Sequence, residues 1–415
     1  MDTLFPDDKP ETFPELTPSR SAGLNRLAAF APRAGSAYRS ARNTDFGPDR
    51  RTNVSVLSPY IRHRLVLETD VLAAVLTRHS LSAAEKFVQE VYWRTYFKGW
   101  LEQRPAAWQR YQSDVIATLE TVARDNEFAR DYEAAINGQT GIDCMDAWAR
   151  ELVETGYLHN HARMWFASIW IFTLKLPWIL GADFFLRHLL DGDPASNTLG
   201  WRWVAGLHTK GKTYLARADN IERHTDGRFN PRGLLATRAD PLIEPDLGPA
   251  VPLAHRSTSV EPGPFGLLIT EEDCAPETLP LPGKPEAVLG LTATTGRSPG
   301  IVAGAVKHFA QGAVHDALAR FDHADQNVDE TENWGETLIA WAQDTGLSRI
   351  VTAEPPVGPV AARLAKAAPM LSAAGIEFVQ VRRLFDAAAW PHATKGFFAL
   401  KAKIPNLLKT LPLKR

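Results

Sequence analysis

Apolar residues in "DVLAAVLTRHSLSAAEKFVQEVYWRTYFKGWLEQRP", residues 70–105, recur at three- and four-residue spacing until Pro105. That period marks amphipathic helices. "MDAWARELVETG" keeps the pattern and stops at Gly156, in the manner of a helix C-cap. Alternating β-branched positions are nearly absent here, so residues 21–235 are expected to form a helical domain. The texture then changes to "PRGLLATRADPLIEPDLGPAVPLAHRSTSVEPGPF", whose prolines and glycines predict a linker over 236–263. Beyond it lie short apolar runs suited to buried strands: "FGLLIT" (265–270), "AVLGLTA" (287–293), "RIVTAE" (349–354) and "IEFVQV" (376–381). Helical patterns such as "GAVKHFAQGAVHDALARF" and "VGPVAARLAKAAPMLSAAG" fall between them. Strands alternating with helices predict a parallel sheet covered on both faces, here over 264–395. The expected fold is therefore multidomain: an all-helical domain followed by a parallel, Rossmann-like α/β domain. A flexible acidic, proline-rich stretch (1–20) precedes it and a basic tail (396–415) follows.

Composition adds exclusions. A chain of 415 residues with 45% hydrophobic content suits two globular domains. A net charge of −2 gives no global positive field for nucleic acid. Locally, Arg163 to Arg232 hold ten Lys/Arg against six Asp/Glu, and "GWRWVAGLHTKGKTYLAR" offers Arg202, Lys210, Lys212 and Arg217. Cys144 and Cys274 are too few to ligate an iron–sulfur cluster, and a reducing cytoplasm is the expected location. The start lacks the basic and apolar regions of a secretory signal. The most membrane-like stretch, Met164 to Leu186, is interrupted by Lys175 and Pro177, so a helix buried in the protein is expected there and no membrane. Neither GxGxxG after the first strand nor GxxxxGK[ST] occurs.

Chemistry concentrates in "DGDPASNTLGWRW", residues 191–203. Asp193 before Pro194 reads as a helix N-cap with proline at the first position. Asp191 is not explained that way; a partly buried aspartate needs a cation, and Arg163 is a candidate. Asn197 lies one helical turn after Asp193, so both can face one ligand. In "FVQEVYWRTYF", Glu90, Trp93 and Arg94 share a helix side, and Asn160, Arg163 and Met164 repeat that geometry. Taken alone, Trp93 and Met164 are better explained by core packing.

Several motifs in one order, "AYRSARN", "SVLSPY", "EVYWRTYF", "NGQTGIDCMDAWARELVETGYLHNHARM" and "DGDPASNTLGWRW", resemble the photolyases and cryptochromes between about Tyr38 and Trp203. The resemblance implies a helical domain that binds FAD. It implies that Tyr38, Ser55, Leu57, Ser58 and Arg94 lie by the FAD phosphates. Asn160, Arg163, Asp191 and Asp193 would line the flavin, and Asn197 would face its N5. Trp201 and Trp178 match inner members of an electron-transfer chain, with Trp170 or Trp108 open as a further member. Glu90, Trp93 and Met164 match positions that touch the lesion. Catalysis would then rest on Trp201, Trp178, Asn197 and Glu90, with no metal. The implied function is light-driven DNA repair, a carbon–carbon lyase reaction in which an electron from reduced FAD reopens a flipped pyrimidine dimer. Damaged DNA, single-stranded or duplex, would be the partner. A blue-light photoreceptor signalling through a protein partner, or a flavoprotein scaffold, are the alternatives. Departures are Val54 for a frequent threonine, His161 for a frequent arginine, and a helical domain placed before the α/β one. No residues are assigned to an antenna chromophore.

Overall fold

The computed structural model describes residues 16–322, 328, 330–411 and 413. Of the stretch expected to be a flexible N-terminus, residues 1–15 lie outside the described residues.

The helical periodicity produces α1 (Glu85–Glu102), α2 (Ala106–Val122), α3 (Asn160–Ser168), α4 (Trp178–His188) and α5 (Pro194–Val204). α1 buries Phe87, Val91, Thr95 and Gly99 along one side, four residues apart. It ends before Pro105, whose ring cannot continue a helix. The membrane-like stretch is α3, a wider turn over Ile169–Thr173, a break, and α4. Ile169, Trp170, Ile171 and Phe172 are buried by neighbouring helices. Among the described residues no helix is long and apolar enough to cross a membrane.

The proline-rich stretch lies along the helical half. Leu242 donates its N–H to Ala205 O (3.0 Å) and Val251 to Gln103 O (2.8 Å), while Arg110 holds Pro245 O at 2.8 Å. The apolar runs then form a four-stranded parallel sheet, β1 (Gly266–Thr270), β2 (Ala287–Leu291), β3 (Arg349–Ala353) and β4 (Glu377–Val381), in the order β2-β1-β3-β4. Leu267 pairs with Val288 and Val351, and Val351 with Val379. Strand alternation sends Leu267, Ile269 and Val351 into a core shared with the helical half and with α6 (Gly304–Ala319). Leu268 and Ile350 face the other way, against α7 (Trp334–Asp344) and α8 (Pro359–Ala373).

Past β4 come α9 (Leu384–Ala389), α10 (Phe397–Lys401) and α11 (Ile404–Thr410). The stretch expected as a basic tail is thus helical over most of its described length. Lysines dominate its composition, but Phe397, Leu400, Ile404 and Leu407 recur at helical spacing and are buried. α9 and α10 pack on α1. A Cβ at Gly99 would come within 2.9 Å of Trp390 Cα, so only a bare α1 lets that turn lie directly on it.

Candidate functional site

α1, α3 and α5 converge with the segment around residues 38–58 on a cavity of about 670 Å³. That volume falls in the range of about 300–1,000 Å³ typical of ligand pockets. The Asp191–Asp193 loop forms one wall. Asp193 Oδ1 caps α5 by accepting from Ser196 N–H (2.9 Å), and Oδ2 accepts from Arg94 Nη2 (2.9 Å), with Lys98 Nζ at 3.8 Å. Asp193 is therefore both cap and ion-pair partner. Burial acts to raise this carboxyl, but Arg94, Lys98 and Arg62 outweigh it and hold it well below the usual range. Arg163 donates to Asp191 Oδ2 (2.9 Å) and to Leu158 O (2.8 Å), the pairing expected from the sequence.

Elsewhere in the lining, Val56 sits in the left-handed region (φ 49°) and Leu57 follows in the right-handed one. Such an alternation turns successive backbone N–H groups to one side, a concavity suited to anions. For a β-branched residue this conformation costs on the order of 1–3 kcal/mol and persists where surroundings demand it.

Polar atoms around the cavity complete the picture. Arg94 Nε, Asp191 Oδ1, Ser196 Oγ and Trp201 Nε1 are buried and have no hydrogen-bond partner among the described residues. Buried polar groups are nearly always paired, so this lining is shaped for a ligand that brings hydrogen-bonding groups. Asn197 donates Nδ2–H to Ala182 O (2.8 Å), which leaves its Oδ1 to the cavity side. These residues fit a flavin dinucleotide: an anion cradle, an amide, an arginine–aspartate pair and an indole line one cavity.

Every residue expected at the flavin lines the cavity: Tyr38, Ser55, Leu57, Ser58, Arg94, Asn160, Arg163, Asp191, Asp193 and Asn197. So do Glu90, Trp93, Met164 and Trp201. Trp178 does not. Its indole donates to Glu244 (2.8 Å) and its ring lies 5.9 Å from Tyr111, which stacks on Trp108 at 5.2 Å. Trp201 instead has Trp170 edge-on at 6.1 Å and Phe185 at 5.1 Å. A Cβ at Gly181 would sit 2.3 Å from the Trp201 ring, so that glycine makes room for the indole.

Arg42 and Asn43 also line the cavity and were not singled out in the sequence. Arg42 pairs with Glu90. Burial pushes the Glu90 carboxyl up, against the pull of Arg42. Burial, reinforced by Glu90, likewise keeps the Tyr38 hydroxyl protonated. His161 stacks on Trp165 at 4.1 Å and bonds Asn43 O (2.9 Å); burial lowers its pKa and favours the neutral ring. Arg42 and Asn43 lay inside the quoted "AYRSARN", and their charge and amide were the available signal. The basic run is mostly neutralised: Arg202 pairs with Glu244, Lys210 with Asp246 (3.0 Å) and Arg217 with Asp219 (2.7 Å). Among the described residues no cluster of His, Cys, Asp or Glu is arranged to hold a metal.

Residues 87–234 match the family described as the FAD binding domain of DNA photolyase. A deoxyribodipyrimidine photo-lyase of Alkalihalophilus pseudofirmus is 32% identical over 193 residues, 46% of this chain and 39% of that one. One from Thermus thermophilus is 32% identical over 225 residues, 52% of this chain and 50% of that one. The chain thus spans half or less of the length of these relatives. Among solved structures, a bacterial class III photolyase from Agrobacterium tumefaciens aligns with a TM-score of 0.41 and 24% identity, covering 54% of this chain and 52% of that one.

Proposed function

Starting from a helical domain whose residues 87–234 match the FAD binding domain of DNA photolyase, we propose that this protein is a photolyase-like, light-driven DNA repair lyase acting on pyrimidine dimers. The reading is carried by one observation: a cavity whose inner wall suits a flavin also has Glu90, Trp93 and Met164 in its lining. When bound and reduced, FAD supplies under light the electron that reopens the dimer. The protein's work is placement. Arg94 and the turn at Val56–Leu57 bind phosphate, and the Arg163–Asp191 pair orients the ring system. Asn197 offers an amide that hydrogen-bonds without fixing a charge.

Trp93 and Met164 present an aromatic face and a soft apolar contact to extruded bases. Glu90, whose carboxyl burial pushes up against the pull of Arg42, meets the polar edge of a base. Trp201 and Trp178 carry electrons inward from the surface, and Trp170 joins them through its edge contact with Trp201. The basic run after Trp203 is largely paired with acids, so attraction to duplex phosphate is modest. A strand that needs no opening is then at least as good a substrate as duplex.

The test is repair. Pre-reduced protein illuminated with near-UV or blue light should restore bases in a dimer-containing oligonucleotide, and a dark control should not. Trp93→Ala should weaken damaged-strand binding by about 1–3 kcal/mol while FAD stays bound. If FAD-replete protein repairs neither cyclobutane nor (6-4) lesions, the enzyme reading falls and the photoreceptor reading replaces it.

A further inference from the structure

Between Trp390 and Arg415 the sequence carries six Lys/Arg and no Asp or Glu, in a chain whose net charge is −2. This stretch lies outside the matched residues 87–234. Its fold brings it to the cavity. Phe397 of α10 stacks face to face on Trp93, with ring centroids 3.7 Å apart and an interplanar angle of 13°. Lys401 pairs with Glu85 at 3.1 Å, so α10 runs along α1 beside the half-buried Glu90 and Trp93. Phe398, its ring 6.3 Å from Phe397, is 76% exposed. Lys395, Lys403 and Lys409 are exposed, and none of them forms an ion pair among the described residues.

From this juxtaposition we infer that α10 and α11 form a docking strip for single-stranded DNA, gripping the backbone that flanks the base held at Trp93. The inference deepens the repair reading and rests on it. Unpaired lysines beside a base-accepting cavity complement phosphates, and an exposed aromatic offers a stacking platform. A membrane surface could attract the same charges, but it needs a free apolar face. Leu400, Ile404 and Leu407 are buried in the protein instead. Phe397 has a second part in the strip: by lying flat on one face of Trp93 it fixes the plane that a base meets.

The experiment compares K395E/K403E/K409E with K210E/K212E, read by fluorescence anisotropy on a labelled 15-mer of thymidylate with and without a central dimer. FAD absorbance and circular dichroism check that each variant is folded. The strip variant should lose roughly 10-fold or more in affinity and flatten the log K against log salt slope by about 2, three phosphates at about 0.7 each. The second variant should stay within about twofold on the 15-mer, since one of its two lysines is already paired to an acid. Phe398→Ala should weaken binding about 5-fold or more. Unchanged slope and affinity in the strip variant overturn the inference, as does a wild-type protein that binds neither oligonucleotide. It is also overturned if the strip variant loses only sedimentation with phosphatidylglycerol/phosphatidylcholine vesicles. Binding needs no light: a protein that binds through the strip but repairs nothing keeps the strip and loses the enzyme reading. One that repairs at the wild-type rate after charge reversal does the opposite.

Discussion

Two hollows among the described residues make a contrast: one is open and the other is filled. The first is the cavity among α1, α3 and α5. The second is the crevice at the carboxyl ends of β1 and β3, where the strand order changes direction and open α/β sheets ordinarily take ligands. Here the helical half fills it. Arg62 makes a two-pronged pair with Glu272 (2.5 and 2.6 Å), and Arg64 pairs with Asp386 and lies 3.5 Å from Asp273. Arg383 grips Asp273 from the α/β side at 2.5 and 2.6 Å. His63 meets Glu271 O at 2.7 Å. The same Arg62 donates to Gly192 O (2.8 Å), between the two aspartates of the cavity wall. The contrast teaches that the α/β half braces the cavity: its strand-end carboxylate Glu272 is engaged by Arg62, which also holds the Asp191–Asp193 loop.

Breaking the brace should have the largest effect. Arg62→Ala leaves Glu272 buried without its cation, which should cost about 3–5 kcal/mol in urea unfolding. Replacing both partners with apolar residues, R62M with E272L, should recover much of that loss, because a matched apolar pair carries no desolvation penalty. A loss under about 1 kcal/mol for Arg62→Ala would mean the crevice is a solvated contact and not a brace. Arg94→Ala, on the cavity side, should act on the ligand more than on the fold. Asp193 keeps its cap bond to Ser196 and has Lys98 at 3.8 Å, so stability should fall less than in the Arg62 variant. FAD affinity should drop about 10-fold or more, the worth of a charge-assisted bond. Full FAD occupancy in that variant would remove Arg94 from the phosphate end.

Why one hollow was legible in the sequence and the other was not follows from the kind of contact each uses. The cavity wall is local. Asp193 caps its own helix, Asn197 lies one turn on, and the Arg163–Asp191 pair joins α3 to the loop that leads into α5. The strands were legible as short apolar runs. The brace is long-range: Arg62 and Glu272 are 210 residues apart, and no periodicity links a charged residue to a partner in another domain. The same gap hid Arg42 opposite Glu90 and Phe397 on Trp93. It also made the run from Arg202 to Arg217 look like a free basic face, because Glu244 and Asp246 come from the proline-rich stretch. α7 went unread although Trp334, Leu338 and Ala342 repeat at helical spacing and are buried; that signal was present.

The smallest expected effect comes from a carboxylate at the seam that lacks an arginine. Glu102, at the end of α1, reaches across to accept the Val357 N–H at 2.5 Å. Burial pushes its pKa up to about 7; that hydrogen bond and Arg382 pull it down, while Glu354 and Asp386 help raise it. Asp193 and Asp273 show the opposite outcome, held low by adjacent cations. The signs therefore differ. A carboxylate whose folded pKa is depressed adds stability above its unfolded value of about 4 and loses it as pH falls. Glu102 is raised, so its contribution is complete below about 4.5 and disappears as pH rises through about 7. Glu102→Gln keeps the acceptor for Val357 and removes the charge. In urea unfolding, the variant and the parent should agree at pH 4 and below. At pH 8 the variant should be the more stable by about 1–2 kcal/mol, less than the full shift would give because Glu102 is not completely buried. Parallel pH profiles for the two proteins would show that Glu102 is hydrated as an ordinary surface carboxylate, and that the seam at Val357 opens to water in a way the seam at Arg62 does not.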